Sequence, residues 1–320
     1  YNTRIITPPS GSMIPTAPVK KNIALVAFAL GILIPVVIIF IRENMNTKVR
    51  GRKDLESLSI PFVAEVPLAG NGKTKKSAHA PKEIIIRHGS RDIANEAFRV
   101  LRTNLEFILD AREEKDKASV TLLTSFNPGS GKTFLAMNIA ATFALKGKKE
   151  LGADGDLRHG SASAYGGSPQ KGLSDYLGKR ENNVDDLIVE KENYPGLFVL
   201  PVGTVPPNPT ELLAEPRLAE LIEKMRSRFD YIFIDCPPVD IVADTQIIEK
   251  LADRTVFIAR AGLLERDMLQ KLQNDYDTKR FKNMVLVLNG TIGGSSRYGY
   301  KYGYKYGYAY GYGSKSYYNK

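Results

Sequence analysis

The stretch Ser119–Thr133, with the sequence SVTLLTSFNPGSGKT, limits what this chain can fold into more than any other. Its first six residues are mostly apolar or β-branched and predict a buried strand. A loop with two glycines and a terminal Lys-Thr follows, and the alanine-rich segment after it predicts a helix. These three elements in this order form a phosphate site, because the loop N–H groups and the helix N-terminus attract an anion.

This loop predicts a site for ATP and Mg²⁺. Lys132 would contact the β- and γ-phosphates, and Thr133 would be a ligand of Mg²⁺. An ordinary glycine turn is the alternative, and Phe126 stands where the strict pattern has glycine. Gly-Lys-Thr between a strand and a helix favours the nucleotide. The residues assigned to nucleotide contacts are Asn127, Pro128, Gly129, Ser130, Gly131, Lys132, Thr133, Phe134 and Asn289.

Charge and cysteine content exclude several classes of protein. The chain has a single cysteine, Cys236, so neither a disulfide framework nor a CxxC metal site is expected. No zinc finger, RNA-recognition motif or basic helical repeat is present, and we expect no nucleic-acid partner. The net charge is +10, and half of that excess lies in residues 297–320, which contain no acid. A membrane surface and a solvated tail account for this balance better than nucleic acid.

An uncharged apolar run occupies Ile23–Ile41. As a helix it would measure about 28 Å, close to the ~30 Å hydrocarbon thickness of a bilayer, and we predict a transmembrane helix at 23–41. A cleaved signal peptide is the alternative, but Arg42-Glu43-Asn44 is not a cleavage site. Basic residues are more frequent after the run than before it, which predicts that the C-terminal side is cytoplasmic.

Four further segments are predicted around this run. Residues 1–22 are rich in proline, serine and threonine and are expected to lack a core. Residues 42–90 are predicted to be a juxtamembrane linker, 91–296 a P-loop domain, and 297–320 a disordered tail. Because Tyr1 is not a natural start, we expect the chain to begin inside a longer protein.

Apolar runs and helical patterns alternate through residues 91–296, which predicts an α/β fold of the P-loop NTPase class, with a mostly parallel sheet flanked by helices. Strands are expected to end at Asp154 and Asp235, at the sheet edge where ligands bind. Glu150 and Gly152 interrupt the apolar run before Asp154. The other predicted elements are helices from 91, at 242–253 and at 264–278, and strands at 199–201, 255–260 and 284–289. The segment PPNPTELL at 206–213 is expected to lead into a further helix, which Pro216 would break or restart.

The last segment is of low complexity, and its tyrosines mostly alternate with glycine and lysine. By itself it reads as an aromatic tail without chemistry. Behind an ATP site, its hydroxyl groups become candidate phosphoryl acceptors. These are Tyr298, Tyr300, Tyr302, Tyr304, Tyr306, Tyr308, Tyr310, Tyr312, Tyr317 and Tyr318.

In this order, the motifs resemble those of the bacterial tyrosine kinases fused to polysaccharide co-polymerases, inner-membrane proteins of capsule or exopolysaccharide export. The proline-rich PPSGSMIPTAP is similar to the end of the co-polymerase domain. Ser125–Thr133 resembles the Walker A loop, Asp154-x-Asp156-x-Arg158 the Walker A′ motif, and Ile232–Asp235 with x-Pro-Pro the Walker B motif. The family has an apolar run where Glu150–Ala153 stands.

The resemblance implies partners as well as a location. Glu96, Arg99 and Arg102 match the family's oligomerisation motif, which docks one kinase domain on its neighbour's site in a ring, expected to be an octamer. From the residues alone, the three form a solvated helix face with a weak intrahelical pair. The polysaccharide polymerisation and export machinery and a tyrosine phosphatase are further expected partners.

The resemblance also implies that Lys132, Asp154, Asp156 and Asp235 are catalytic, and that Thr133, Asp154 and Asp235 ligate Mg²⁺. Asp154 would stand near the attacking hydroxyl, and Asp156 would assist as a base or metal ligand. The tail begins eight residues after Asn289, too close to its own sheet to reach freely, so we expect transfer to a neighbour's tail. Each phosphate adds about −1.5 to −2 charge, and a few would reverse the tail's charge and loosen the ring.

Two alternatives of other classes remain open at this point. One is a membrane-associated P-loop ATPase, which usually has a second lysine early in the loop and lacks a tyrosine tail. The other is a co-polymerase subunit that regulates polysaccharide chain length with a non-catalytic nucleotide site. The first would consume ATP without forming phosphotyrosine, and the second would only bind it.

Overall fold

A computed structural model describes residues 20–68, 83–90, 92–110, 116–167 and 170–292, without the side chain of Glu43. The described residues divide into two compact units, one that ends at Thr47 and one that begins at Lys48. The predictions for residues 1–19 and for the tail tyrosines lie outside the described residues.

The first unit contains helix α1, Lys20–Asn44. Within the described part of the chain, it is the one helix long and apolar enough to cross a membrane, judged by length and composition. Its apolar side chains face outward, as Phe28 shows with 72% of its surface exposed. The sequence had placed the span at 23–41, inside this helix.

The second unit is built on a sheet of eight described strands. They are β1 (Phe62–Pro67), β2 (Ser119–Thr124), β3 (Glu150–Asp154), β4 (Val189–Glu190), β5 (Leu197–Leu200), β6 (Tyr231–Asp235), β7 (Arg254–Arg260) and β8 (Val285–Thr291). Their order is β1-β8-β7-β2-β6-β3-β5-β4, and every pair is parallel except β4 with β5. Because parallel strands end at the same edge, the loops after β2, β3, β6, β7 and β8 lie together.

Helices cover both faces of this sheet. They are α2 (Ile93–Leu109), α3 (Lys132–Ala144), α4 (Leu173–Leu177), α5 (Pro209–Ala214), α6 (Pro216–Arg226), α7 (Asp244–Glu249) and α8 (Met268–Asp277). One core cluster joins α2 and α3 to the sheet, and another joins α4 to α7 to the opposite face. The predicted class, a P-loop NTPase fold with a mostly parallel sheet between helices, is confirmed.

Two predicted helices are shorter than the sequence pattern suggested. The helix expected at 242–253 is only Asp244–Glu249 long, as α7. It ends early because the backbone N–H groups of Leu251 and Ala252 donate to carbonyls only three residues back, as in a turn. The helix expected at 264–278 starts only at Met268, after a turn that begins at Arg260. Proline starts both α5 and α6, where its missing N–H costs nothing.

The linker predicted at 42–90 is wrong for much of its length. Strand β1 pairs with β8 at the edge of the sheet. Before it, Val49, Leu55 and Ile60 are buried in the cluster that also contains α8 residues. The short apolar islands in this segment are therefore core residues, which the intervening prolines and charges concealed.

Strand β3 forms in full despite the two residues that interrupt its apolar run. It is buried between β5 and β6, so both edges of its backbone are paired. A Cβ added to Gly152 would lie 3.1 Å from Met137 Sδ, so glycine leaves room for α3. Glu150 is fully buried, and both of its carboxylate oxygens lack a hydrogen-bond partner among the described residues.

Candidate functional site

The candidate site lies where β2, β3 and β6 end. Strand β2 leads into the loop Ser125–Gly131, and α3 starts directly after it with Gly131 as its N-cap. Leu123 of β2 and Asp154 of β3 both pair in register with Asp235 of β6. The sheet therefore brings the phosphate loop and the two strand-terminal carboxylates together, as the sequence predicted.

Two glycines allow the loop to turn tightly. Gly129 and Gly131 have φ angles of 72° and 89°, in the left-handed region that favours glycine. A Cβ on Gly131 would lie 2.2 Å from Asn289 Nδ2, so a larger residue could not be accommodated there. This close approach is why the loop ends in glycine immediately before Lys132.

The loop is also held through its outward carbonyl groups. Asn127 O accepts hydrogen bonds from Ser125 Oγ and Ser130 Oγ, each 2.8 Å long. Asn289 Nδ2 donates to Ser130 O at 2.8 Å, so this predicted nucleotide residue contacts the loop itself. Because these carbonyl groups already accept hydrogen bonds from side chains, the loop N–H groups can converge on an anion.

Lys132 is half-buried in the first turn of α3. Burial lowers the pKa of its ammonium group, and the nearby Asp235 and Asp156 carboxylates oppose that shift. The lysine therefore stands among acids without a salt bridge to either of them within 4 Å. A cation so placed can bind the terminal phosphates of a nucleotide.

Thr133 and Asp235 form the part of the site that suits Mg²⁺. Thr133 Oγ1 donates a short hydrogen bond to Asp235 Oδ2. The other oxygen, Asp235 Oδ1, is buried and has no partner in the described part of the chain. Burial, opposed by Lys132 and Thr133, raises the pKa of Asp235 to about 6. An unpartnered carboxylate oxygen beside a hydroxyl group matches the oxygen ligands that Mg²⁺ prefers.

No group of three or more His, Cys, Asp or Glu residues in the described ranges could hold a metal by itself. Mg²⁺ commonly uses one or two protein oxygens together with phosphate oxygens and water. The residues present therefore fit a metal that arrives with a nucleotide.

Asp154 and Asp156 follow β3 but differ in accessibility. Asp154 is fully buried; its Oδ2 accepts bonds from Ala162 N at 2.8 Å and Ser163 N at 3.0 Å, and its Oδ1 from Asp156 N at 3.2 Å. Burial, followed by the Asp235 and Asp156 charges, raises the pKa of Asp154 well above its ordinary value. The side chain of Asp156 is 12% exposed, and His159 Nδ1 lies 3.2 Å from its Oδ2.

Hydrogen bonds to one carboxylate, which the sequence analysis did not predict, hold the loop after β3 in place. Arg158 Nε donates to Asp244 Oδ2 at 3.0 Å, and Thr210 Oγ1 donates to Asp244 Oδ1 at 2.6 Å. Arg158 had been noted only as part of a motif. Asp244 and Thr210 gave no signal, because their contacts join residues distant in sequence.

The residues predicted to mediate oligomerisation lie on α2 and not among the site residues. Arg99 Nη1 contacts Glu96 Oε2 at 3.0 Å, and its Nη2 donates to Ser90 O at 2.6 Å. Arg102 Nη1 donates to Thr142 O of α3 at 3.3 Å. Glu96 and Arg99 are each about one-third exposed, as a surface pair would be.

The parallel sheet, the glycine loop and the carboxylates at its edge define a P-loop NTPase. A family described as an AAA domain matches residues 120–260. The match spans β2 to β7, which includes every element of the site except Asn289.

Two relatives and one solved structure narrow the class. A Klebsiella pneumoniae protein with the provisional name of a tyrosine-protein kinase in the cps region is 32% identical over 301 residues, which cover 91% of this chain and 40% of that relative. Tyrosine-protein kinase YwqD of Bacillus subtilis is 32% identical over 230 residues, covering 71% of this chain and 94% of YwqD. The kinase domain of Escherichia coli tyrosine kinase ETK has a TM-score of 0.65 at 28% identity, covering 83% of this chain and 100% of that domain.

The chain belongs to the bacterial tyrosine-protein kinases. It spans 40% of the length of the Klebsiella relative. The resemblance recognised from the Walker motifs is confirmed.

Proposed function

We propose that this chain is the kinase portion of a membrane-anchored protein that transfers the γ-phosphoryl group of ATP to tyrosine, in the control of capsular or exopolysaccharide polymerisation and export. The contact between Thr133 and Asp235, beside Lys132 at the end of the phosphate loop, carries this proposal. Helix α1 would be the anchor, in the bacterial inner membrane with the kinase unit in the cytoplasm.

Each residue of the loop end has a distinct role in this proposal. Lys132 would bind the β- and γ-phosphates of the nucleotide, and Thr133 and Asp235 would hold Mg²⁺. When bound, Mg²⁺ offsets the negative charge on the phosphoryl group being transferred. The N–H groups of the loop and of the first turn of α3 orient the phosphates, and the backbone around Phe134 completes that turn.

The proton acceptor is one of the two carboxylates after β3. The family resemblance places Asp154 near the attacking hydroxyl and gives Asp156 a role as base or metal ligand. Accessibility supports Asp156 as the base, because its side chain is 12% exposed whereas Asp154 is fully buried. A tyrosine hydroxyl has a pKa near 10 and needs a base as it attacks. We therefore propose that Asp156 takes the proton and that Asp154 fixes the loop.

The phosphoryl acceptors in this proposal are the tail tyrosines of a neighbouring copy. Glu96, Arg99 and Arg102 would dock adjacent kinase units in a ring, for which an octamer is the proposed size. Phosphates on the tail would loosen the ring by repulsion. A tyrosine phosphatase would restore it, and the polysaccharide machinery would respond to the cycle.

The decisive experiment incubates the purified chain with ATP and Mg²⁺ and measures phosphotyrosine and ADP. The parent should form both, whereas Lys132→Met should form neither and a chain lacking 297–320 should form no phosphotyrosine. ADP without phosphotyrosine in the parent would identify an ATPase. Bound nucleotide without either product would identify a regulatory site.

A matched pair of variants then locates the base. Asp156→Asn should abolish phosphotyrosine while magnesium-dependent ADP binding stays within about threefold of the parent. Asp154→Asn should weaken binding and thermal stability together, because it disturbs the loop. Intact transfer in Asp156→Asn would exclude Asp156 as the base and point to Asp154 instead.

A further inference from the structure

The last residue of β7 contacts the phosphate loop from the side. Arg260 Nη1 donates a short hydrogen bond to Gly129 O. In the sheet, Arg260 stands opposite Asn289 of β8, whose side chain bonds the next carbonyl of the loop, Ser130 O. Two consecutive loop carbonyls are therefore bonded from two neighbouring strands.

These bonds determine where the loop N–H groups point. A trans peptide unit is planar, so its C=O and the N–H of the next residue point in opposite directions. Holding Gly129 O outward thus turns Ser130 N–H inward, and holding Ser130 O outward does the same for Gly131 N–H. Without such bonds, the orientation of these two peptide planes would be less restrained, because Gly129 and Gly131 lack the Cβ that limits the backbone angles of other residues.

The backbone that carries Arg260 is itself held firmly. Ala261 N donates to Asn289 O at 2.9 Å, and Leu264 N donates to Arg260 O at 3.0 Å. Val49, which is fully buried, bonds the same turn through both of its backbone groups: its N donates to Leu264 O at 2.8 Å and its O accepts from Gly262 N at 2.7 Å. The guanidinium group therefore extends from a fixed base, with no described carboxylate within 4 Å of it.

We propose that Arg260 is a positioning residue of the nucleotide site, which orients the N–H groups of the phosphate loop by holding Gly129 O. This positioning role rests on the nucleotide-binding part of the proposed function and not on the transfer to tyrosine. Because Val49 bonds the turn after Arg260, the position of Arg260 also depends on the segment around Val49.

The test compares Arg260→Met with Arg254→Met, which lies at the other end of β7. Arg254 also donates to backbone carbonyls, Asn283 O at 3.2 Å and Ile108 O at 3.3 Å, so the two variants lose similar bonds. Magnesium-dependent ADP affinity is measured by calorimetry on the whole chain in detergent. Arg260→Met should weaken binding about tenfold, and Arg254→Met should leave it within twofold.

Hydrogen exchange of the nucleotide-free chain supplies a second, structural readout. Amides 130–133 should exchange faster in Arg260→Met, while those of β2 and β6 keep the parent's protection. Arg260→Lys, which keeps a donor, should recover part of the affinity and of the protection.

The outcomes are distinguishable. Unchanged exchange at 130–133 together with unchanged ADP affinity in Arg260→Met would overturn the positioning role. Equal losses in both arginine variants would also overturn it, since they would indicate general destabilisation. A parent chain that binds no ADP would refute the proposed function instead.

Discussion

The two ends of β3 carry buried carboxyl groups in opposite circumstances. At the site end, Asp154 accepts hydrogen bonds from three backbone N–H groups and from Ser163 Oγ. At the other end, Glu150 is equally buried, but no described group bonds either oxygen. One strand therefore contains a carboxyl group that organises a loop and one that has no partner.

This difference shows that burial alone does not identify a functional carboxylate. The pKa is raised at both positions, and desolvation by burial is the largest cause at each. What separates them is the set of donors that the loop after β3 provides. Removing a bonded group leaves its partners without bonds, whereas removing an unbonded group relieves a cost.

The largest effect is expected from Asp154→Ala. The change leaves the buried N–H group of Ala162 and the partly buried N–H group of Ser163 without an acceptor, at about 1–3 kcal/mol each. We expect the free energy of unfolding to fall by about 3 kcal/mol, measured by urea denaturation. Ser163→Ala, which removes only the 3.2 Å hydroxyl bond, is the control and should cost less than half as much. Equal losses would show that the backbone bonds contribute little.

Glu150→Leu should act in the opposite direction. Replacing a buried carboxyl group that lacks partners by an apolar side chain of similar size should raise the free energy of unfolding by about 2 kcal/mol at pH 7. Nucleotide affinity should not change, because Glu150 lies at the strand end away from the loop. A less stable variant would indicate that the carboxylate has a stabilising contact after all.

The pH dependence of the free energy of unfolding should reveal the ionisation of Glu150. Burial, reinforced by the Asp230 and Glu106 charges and opposed by Lys148, raises its pKa well above the ordinary 4.5. A group whose pKa is higher in the folded state than in the unfolded state contributes stability at pH values below its unfolded-state pKa. That contribution is lost as the pH rises through its folded-state pKa. The stability advantage of Glu150→Leu over the parent should therefore grow from pH 4.5 upward and then level off. An advantage that is constant between pH 4 and 8 would contradict this ionisation.

The smallest effect is expected from Gly152→Ala, between the two carboxyl groups. The new Cβ would crowd Met137, whose flexible side chain can move, so the loss of stability should be about 1 kcal/mol. Thermal melting of Gly152→Ala, Met137→Ala and the double variant forms a double-mutant cycle. A loss in the double variant smaller than the sum of the two single losses would assign the strain to the contact with Met137, and additive losses would place it in the backbone.

Local patterns predicted the sheet class, the phosphate loop and the positions of Asp154 and Asp235. Each of these depends on residues that are close in sequence, namely a strand followed by a loop and a helix or an acid. Strand β3 formed although Glu150 opposes it, because pairing with β5 and β6 outweighs one unfavourable residue.

The features that sequence could not predict depend on distant contacts. Strand β1 is defined by its pairing with β8, and its own sequence is short and flanked by charged and proline-containing stretches. Arg260 reaches Gly129 across 131 positions in the chain, and Arg158 meets Asp244 across 86. Such bonds leave no periodicity or spacing to detect.

The central claim is that the phosphoryl group passes from the site of one copy to the tail of another. It is tested most directly by mixing two chains that should form no phosphotyrosine on their own. One lacks residues 297–320 and keeps the site, and the other has Lys132→Met and keeps the tail. With ATP and Mg²⁺, phosphotyrosine should form on the Lys132→Met chain and only in the mixture. No phosphotyrosine in the mixture, with both chains folded and the parent active, would contradict transfer between copies.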